Sequence, residues 1–184
     1  MTRGPFVRRH TTNDRVSALH TTRRRPYLQR LLFWGCFSGT GGQGPMVFLP
    51  GTMKTVTYKE TLQEHLLLYR VVCFPTGGDI FQHDNAPPHK SRSTLEFLQH
   101  HHIIVLPWPP YSPDLNPIEN MRSIVKRNIH RHGFTSKDSL RAAVETAWSA
   151  PAMQNECVTL ADSMIDRIQQ CIASKGIYHI LIEE

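Results

Sequence analysis

The chain lacks any run of the roughly 18 consecutive apolar residues that a membrane-spanning helix needs, so no membrane partner is expected of its 184 residues. An apolar signal segment is also missing at the start, where Arg3, Arg8, Arg9 and His10 interrupt it. Closely spaced cysteine pairs are absent: Cys36, Cys73, Cys157 and Cys171 stand far apart. That argues against a zinc ribbon or a disulfide scaffold and suits reduced thiols inside a cell. Acidic residues are scarce at one end only. Residues 1–30 hold eight arginines and a single acid, Asp14, for a charge of +7. The remainder carries −1 of the chain's net +6. With 40% hydrophobic and 20% charged residues, an ordinary core can form and disorder of the whole chain is excluded.

The basic excess is therefore a property of an N-terminal arm, residues 1–30, which lacks apolar periodicity. Such arms commonly meet polyanions, and nucleic acid competes here with a plain solvated tail. Beyond the arm, Leu31–Ser38 reads as a buried strand, and the glycine-rich run 39–44 as a loop unable to hold regular structure. Met46–Leu49 reads as a second strand, which makes a hairpin. Tyr58, Leu62, Leu66 and Tyr69 recur at helical spacing over residues 55–69. A strand over 80–83, a helix from Ser91 to His101 with Leu95 and Leu98 inward, and a strand over 103–106 suggest a parallel βαβ crossover.

Residues 107–117 hold five prolines in eleven positions and form a rigid loop. Three helices follow. The first starts at Pro117, with Ile118, Met121, Val125 and Ile129 as its apolar face. The second begins at Thr135–Asp138, a capping-box-like start with Asp in place of Glu, and turns Leu140, Val144 and Ala147 inward. The third spans about 153–173 with Val158, Ala161, Ile165, Ile168 and Ile172 as its expected core face.

Two acids stand out by position. Asp84 lies at the carboxyl end of a strand, where α/β folds gather ligands. Glu119 lies in the first turn of the helix after the proline loop, with 34 residues between the two. One βαβ unit and one loop separate them, and that path can bring the carboxylates together. Carboxylates held close repel one another unless a hard divalent cation, Mg²⁺ or Mn²⁺, cancels the cost. Two such ions can clamp the attacking and leaving oxygens of a phosphodiester. Each acid also has a plain explanation: Asp at a strand end is most often a turn or cap residue, and Glu in a first helical turn complements the dipole.

The strings from Phe81 to His89 (FQHDNAPPH) and from Pro110 to Asn120 (PYSPDLNPIEN), with Trp34–Ser38 and Gly51–Met53, closely resemble the Tc/mariner transposase family. The resemblance runs in order from about Leu31 to Gly176, and the 34-residue spacing matches the Tc-type branch. It implies an α/β, ribonuclease-H-like catalytic domain over residues 31–176, a mixed sheet flanked by helices, followed by a tail at 177–184. It further implies an Asp-Asp-Glu triad that cuts DNA at transposon ends with Mg²⁺ and joins the freed 3′-hydroxyl to target DNA. Asp84 falls on the second acid and Glu119 on the third, each as a catalytic and metal-binding residue.

Three departures accompany the resemblance. The family's first acid sits on an opening strand well upstream of Trp34, and that strand is expected to be missing here; Asp14 does not match its motif. The family's paired helix-turn-helix modules are likewise not seen. Met121-Arg122 stands where the family has Leu-Trp, which puts an arginine near the core side. The chain is therefore expected to be a transposase catalytic domain, inactive in this form. The rival readings are a non-catalytic nucleic-acid-binding or assembly fragment of a decayed transposable element, and another ribonuclease-H-like nuclease.

On the Glu119 helix, Arg122, Lys126, Arg127 and Arg131 crowd the non-core face and are candidates for DNA phosphates, with His89 a further one; a solvated face is the plain alternative. Trp108 is expected to pin the proline loop to the core. The expected partners are DNA and a second copy of the chain as a homodimer, the expected location the nucleus, and no small-molecule cofactor is expected.

Overall fold

A computed structural model describes residues 31–110, 112–130 and 134–174, all within one compact unit. The basic arm, the tail at 177–184, Tyr111 and Arg131 lie outside the described residues. No helix among the described residues is long and apolar enough to cross a membrane.

The chain opens with β1 (Leu32–Ser38) and β2 (Gly42–Leu49), an antiparallel hairpin with a register shift between Gly35 and Phe37. The second strand thus begins inside the glycine run that the sequence assigns to a loop. Pairing overrides propensity here: Ser38 faces Gly42 and Phe37 faces Gln43. Gly44 lies hard against the Cys36 sulfur and the Tyr69 ring, where a side chain would not fit. Its carbonyl accepts the Trp148 indole N–H at 2.9 Å.

The predicted helix over 55–69 continues to residue 73. It comprises α1 (Thr55–Thr61), a π-helical turn at Leu62–Leu66, and α2 (Leu67–Cys73). Tyr58, Leu62 and Leu66 are buried, as their spacing predicts. Next come β3 (Ile80–Phe81), α3 (Arg92–His100) and β4 (Ile104–Val105). The two strands pair in parallel, Ile80 with Ile104 and Phe81 with Val105, so the βαβ crossover is present with shorter strands than expected. On α3, Leu98 is buried but Leu95 is 50% exposed, against expectation. The inward stripe is Thr94–Leu98, four residues apart, because the Thr94 hydroxyl donates to the Pro88 carbonyl at 2.8 Å and is satisfied when buried.

Three helices close the unit: α4 (Pro117–His130), α5 (Lys137–Trp148) and α6 (Ala152–Ala173). Ser136 caps α5, and the reciprocal partner is the Ser139 hydroxyl rather than Asp138. The core face of α6 also differs from the expected one. Met153, Cys157 and Leu160 are buried, while Val158, Ile165, Ile168 and Ile172 are exposed. Both stripes have helical spacing, so periodicity alone does not choose between them. Contact with β1, β2 and α4 selects the one containing Cys157.

Two hydrophobic clusters result. Trp34, Tyr58, Leu62, Leu66, Leu98 and Ile103 centre the first; Met121, Val125, Val144, Trp148, Met153, Cys157 and Leu160 are the main members of the second. Burying each of the larger side chains contributes roughly 1.5–3 kcal/mol against entropy costs of similar size. The β1–β2 and β3–β4 sheets are separate among the described residues.

Candidate active site

Between these two sheets lies a cleft of about 520 Å³. Residues 34–38 line it without a gap, and so do residues 78–84. Alternate side chains of a strand point to opposite faces, so an unbroken run lines a cavity only where the strand presents its edge. The cleft therefore runs between the open edges of β1 and β3. Tyr58, Leu66 and Tyr69 cover it from one helix pair, and Ala161 and Met164 from α6. Asp84 and Glu119 both belong to its wall.

Asp84 lies three residues beyond β3, in an irregular segment. Its Oδ1 accepts the Ala86 backbone N–H at 2.9 Å, the turn contact that the plain reading anticipates. The same oxygen lies 2.6 Å from His89 Nδ1. Glu119 is the third residue of α4, and its Oε1 accepts Arg122 Nη1 at 2.6 Å. Arg122 is thus not in the core. Its side chain is 41% exposed and reaches back one turn to the carboxylate. A tryptophan at that position could not make this pair.

Motif side chains tie together the segments that carry the two carboxylates. Asn116 is buried, and its Oδ1 accepts Gln82 Nε2 at 3.2 Å and, more weakly, the Ile118 N–H at 3.4 Å. Gln82 stands two residues before Asp84 and Asn116 three before Glu119. Asn85 Nδ2 donates to the Trp108 carbonyl at 2.8 Å, which fixes the start of the proline loop beside Asp84. Arg167 Nη1 donates to the Asp114 carbonyl at 2.8 Å and fixes the loop's far end to α6.

Beneath Asp84 is a group the sequence did not reveal. Tyr58 is fully buried, and its hydroxyl lies 2.8 Å from His83 Nδ1. The His83 and His89 rings are stacked at 5.0 Å, and the Tyr58 ring lies 4.1 Å from His89. Burial pushes His83 down to about 4, helped by the His89 charge and opposed by Asp84, so its imidazole is neutral near pH 7. Burial, then the charges of Asp84 and Cys36, raises the Tyr58 phenol above its ordinary value and keeps it protonated. At the opposite end of β3, the Arg70 guanidinium grips both oxygens of Asp79, with Nη2–Oδ1 at 2.9 Å. Helical spacing marked Tyr58 as core, and nothing in the pattern signalled the use of its hydroxyl.

Lys126 and Arg127 are exposed farther along α4 and take no part in the cleft wall among the described residues. As donors, the two carboxylates suit one hard divalent cation, since Mg²⁺ is commonly held by one or two carboxylates with water completing the shell. No group of three or more His, Cys, Asp or Glu that could hold a metal occurs among the described residues. A two-ion clamp needs more acids than these residues supply.

An acidic pair in a cleft beside a βαβ unit, carried by these motifs, defines a class: the chain belongs to the DDE superfamily endonucleases, whose family pattern it matches over residues 16–141. Several of its relatives are transposases. It is 33% identical over 149 residues to the transposable element Tc1 transposase of Caenorhabditis elegans, covering 79% of this chain and 52% of that protein. Against the Tcb2 transposase of Caenorhabditis briggsae the identity is 32% over 148 residues, with the same coverage. The chain spans about half the length of these curated relatives. The catalytic domain of Mos1 mariner transposase superposes with a TM-score of 0.73 at 23% identity, over 82% of this chain and 76% of that one. A Mos1 paired-end complex with the left transposon end gives 0.75 at 22%, over 96% and 51%. The Mos1 catalytic domain has also been solved with Mg, giving 0.70 at 22% over 82% and 84%. The fold is therefore that of the Mos1 catalytic domain, the ribonuclease-H-like α/β architecture.

Proposed function

We propose that residues 31–176 are the catalytic domain of a Tc1/mariner-type transposase, acting on DNA phosphodiesters in the nucleus, with Asp84 and Glu119 as two of its metal-binding acids. The observation that carries this reading is the presence of both motif carboxylates in the wall of one cleft. The favoured ion is Mg²⁺ or Mn²⁺, in keeping with hard oxygen donors and with the Mos1 catalytic domain solved with each. When bound, such an ion polarises a phosphodiester oxygen as a Lewis acid. The chain's own residues supply carboxylate oxygens in the cleft and, through the exposed Lys126 and Arg127 farther along α4, cations for the DNA backbone, with Arg131 a further candidate outside the described residues. DNA partnership and a homodimer are supported by the Mos1 paired-end complexes with transposon DNA.

A third carboxylate has to come from outside the described residues, and the open edges of β1 and β3 suit a strand as its carrier. On its own, the 184-residue chain is expected to bind DNA without cutting it. The decayed-fragment reading gains support from one observation, the Arg122–Glu119 ion pair, which places a full cation on one of the two oxygens a metal ion could use. The experiment is a cleavage assay on a transposon-end duplex with Mn²⁺, beside a binding titration in rising salt. The expected result is no cleavage and a steep salt dependence of log K, reduced by about 0.9 for each phosphate-contacting cation removed. Metal-dependent cleavage lost on Glu119→Gln would show that the chain already holds a third acid, Asp14 being the first to test.

A further inference from the structure

We propose that His89 is the positioning residue for Asp84: through its hydrogen bond to the Asp84 carbonyl and its close contact with Oδ1 it fixes the side chain and leaves Oδ2 as the oxygen offered to a cation. The inference rests on the reading of Asp84 as a cation ligand. Apart from the Ala86 N–H on Oδ1, Asp84 has little else to fix it. Its side chain is 54% exposed and follows the strand into an irregular segment. An exposed aspartate samples several rotamers, and freezing them on binding a cation costs affinity.

His89 removes that freedom. Its Nδ1 lies 2.6 Å from Asp84 Oδ1 and 3.2 Å from the Asp84 carbonyl. The carbonyl is the hydrogen-bond acceptor and can only accept, so Nδ1 carries the proton and donates to it, while Oδ1 makes a close polar contact with the same nitrogen. The Ala86 N–H donates to the same Oδ1, whereas Oδ2 has no hydrogen-bond partner among the described residues. The histidine is itself held rigidly, with its side chain only 16% exposed. Its ring lies nearly parallel to His83, 4° apart, and against the buried Tyr58 ring. The turn beneath it is closed by the His89 N–H on the Ala86 carbonyl at 2.9 Å. The Ser91 and Thr94 hydroxyls anchor the Pro88 carbonyl to the start of α3. A ring stacked and pinned in this way is built to orient what it touches. A histidine awaiting a DNA phosphate would keep its donor free and its ring in solvent.

The test measures Mn²⁺ binding to the full 184-residue chain by electron paramagnetic resonance, with circular dichroism melting curves to confirm folding. His89→Ala should weaken binding by about tenfold or more, the usual cost of losing an outer-shell partner. His89→Asn places an amide N–H where Nδ1–H was and should restore most of the affinity. His89→Gln reaches toward the Nε2 position instead and should not. A merely structural role would make the Asn and Gln variants alike. Unchanged or tighter binding in a folded His89→Ala chain, or equal recovery by Asn and Gln, overturns the proposal. Asp84→Asn separates the two levels: if it leaves binding unchanged, the ligand reading fails and the positioning role with it. If Asp84→Asn abolishes binding while His89→Ala does nothing, only the positioning role fails.

Discussion

The two carboxylates of the cleft come from two differently built halves. Asp84 projects from the cluster of Trp34, Tyr58, Leu98 and Ile103, on a turn braced by stacked rings. Glu119 projects from the cluster of Met121, Val125 and Trp148, on a helix whose next turn supplies Arg122. On the Asp84 side a neutral scaffold holds the neighbour of the acid. On the Glu119 side a full cation sits on the acid itself. The proposed shared role would ask different things of a braced turn and of a helix. On the proposed reading the turn depends on its braces for orientation, whereas the helix already has it and carries a cation beside its carboxylate.

The largest effect that would break the Asp84 half lies at the foot of β3. Asp79 and Arg70 are largely buried, and removing one partner of such a pair costs about 3–5 kcal/mol. Asp79→Asn should lower stability in urea by that order while leaving Glu119 and Arg122 in place. The Arg70 hydrogen bond, against some burial, holds the Asp79 carboxyl below its ordinary 3.8. The unfolded chain therefore binds this proton first as pH falls. The pair's contribution is complete above about pH 4 and is lost as the solution is acidified further. The variant should lose less stability than the parent across that acidic range.

Core truncations sharpen the contrast next. Leu98→Ala and Met121→Ala should each cost about 2–5 kcal/mol, since both side chains are almost fully buried. They should differ in what they disturb. Leu98→Ala should shift the histidine ring resonances around His83 and His89. Met121→Ala should shift α4 and leave those rings unmoved. Equal disturbance of both regions by either variant would mean the halves are one cooperative core.

The smallest effect on stability concerns Arg122. Its exposed pair is worth at most about 1 kcal/mol to the fold, so Arg122→Ala should melt near the parent temperature. The same change should tighten Mn²⁺ binding several-fold, because Glu119 no longer has to leave a cation. Weaker binding in that variant would assign Arg122 a supporting role and erase the contrast between the halves.

Much of this was legible in the sequence, and its misses have physical causes. The βαβ unit, the proline loop and the place of Asp84 and Glu119 in the wall of one cleft follow from motif order and chain path. The buried face of α6 did not, because two apolar stripes interleave on one helix and only the neighbours choose between them. The strand start at Gly42 was hidden because four glycines in six residues oppose a strand by propensity, while pairing with Ser38 across the turn holds it. Arg122 looked like a burial problem, yet its length lets the guanidinium leave the core and reach Glu119. Asn85 and Asn116 carried no chemical signal, although each ties the two halves together through one hydrogen bond.

The central claim is that Asp84 and Glu119 serve one shared cation. Mn²⁺ titration of the parent, Asp84→Asn, Glu119→Gln and the double variant tests it most directly, read by electron paramagnetic resonance at one pH and salt. A shared ion predicts that either single change removes nearly all the binding and that the double change adds almost nothing. Independent losses that sum in the double variant, or binding that survives both, would contradict it.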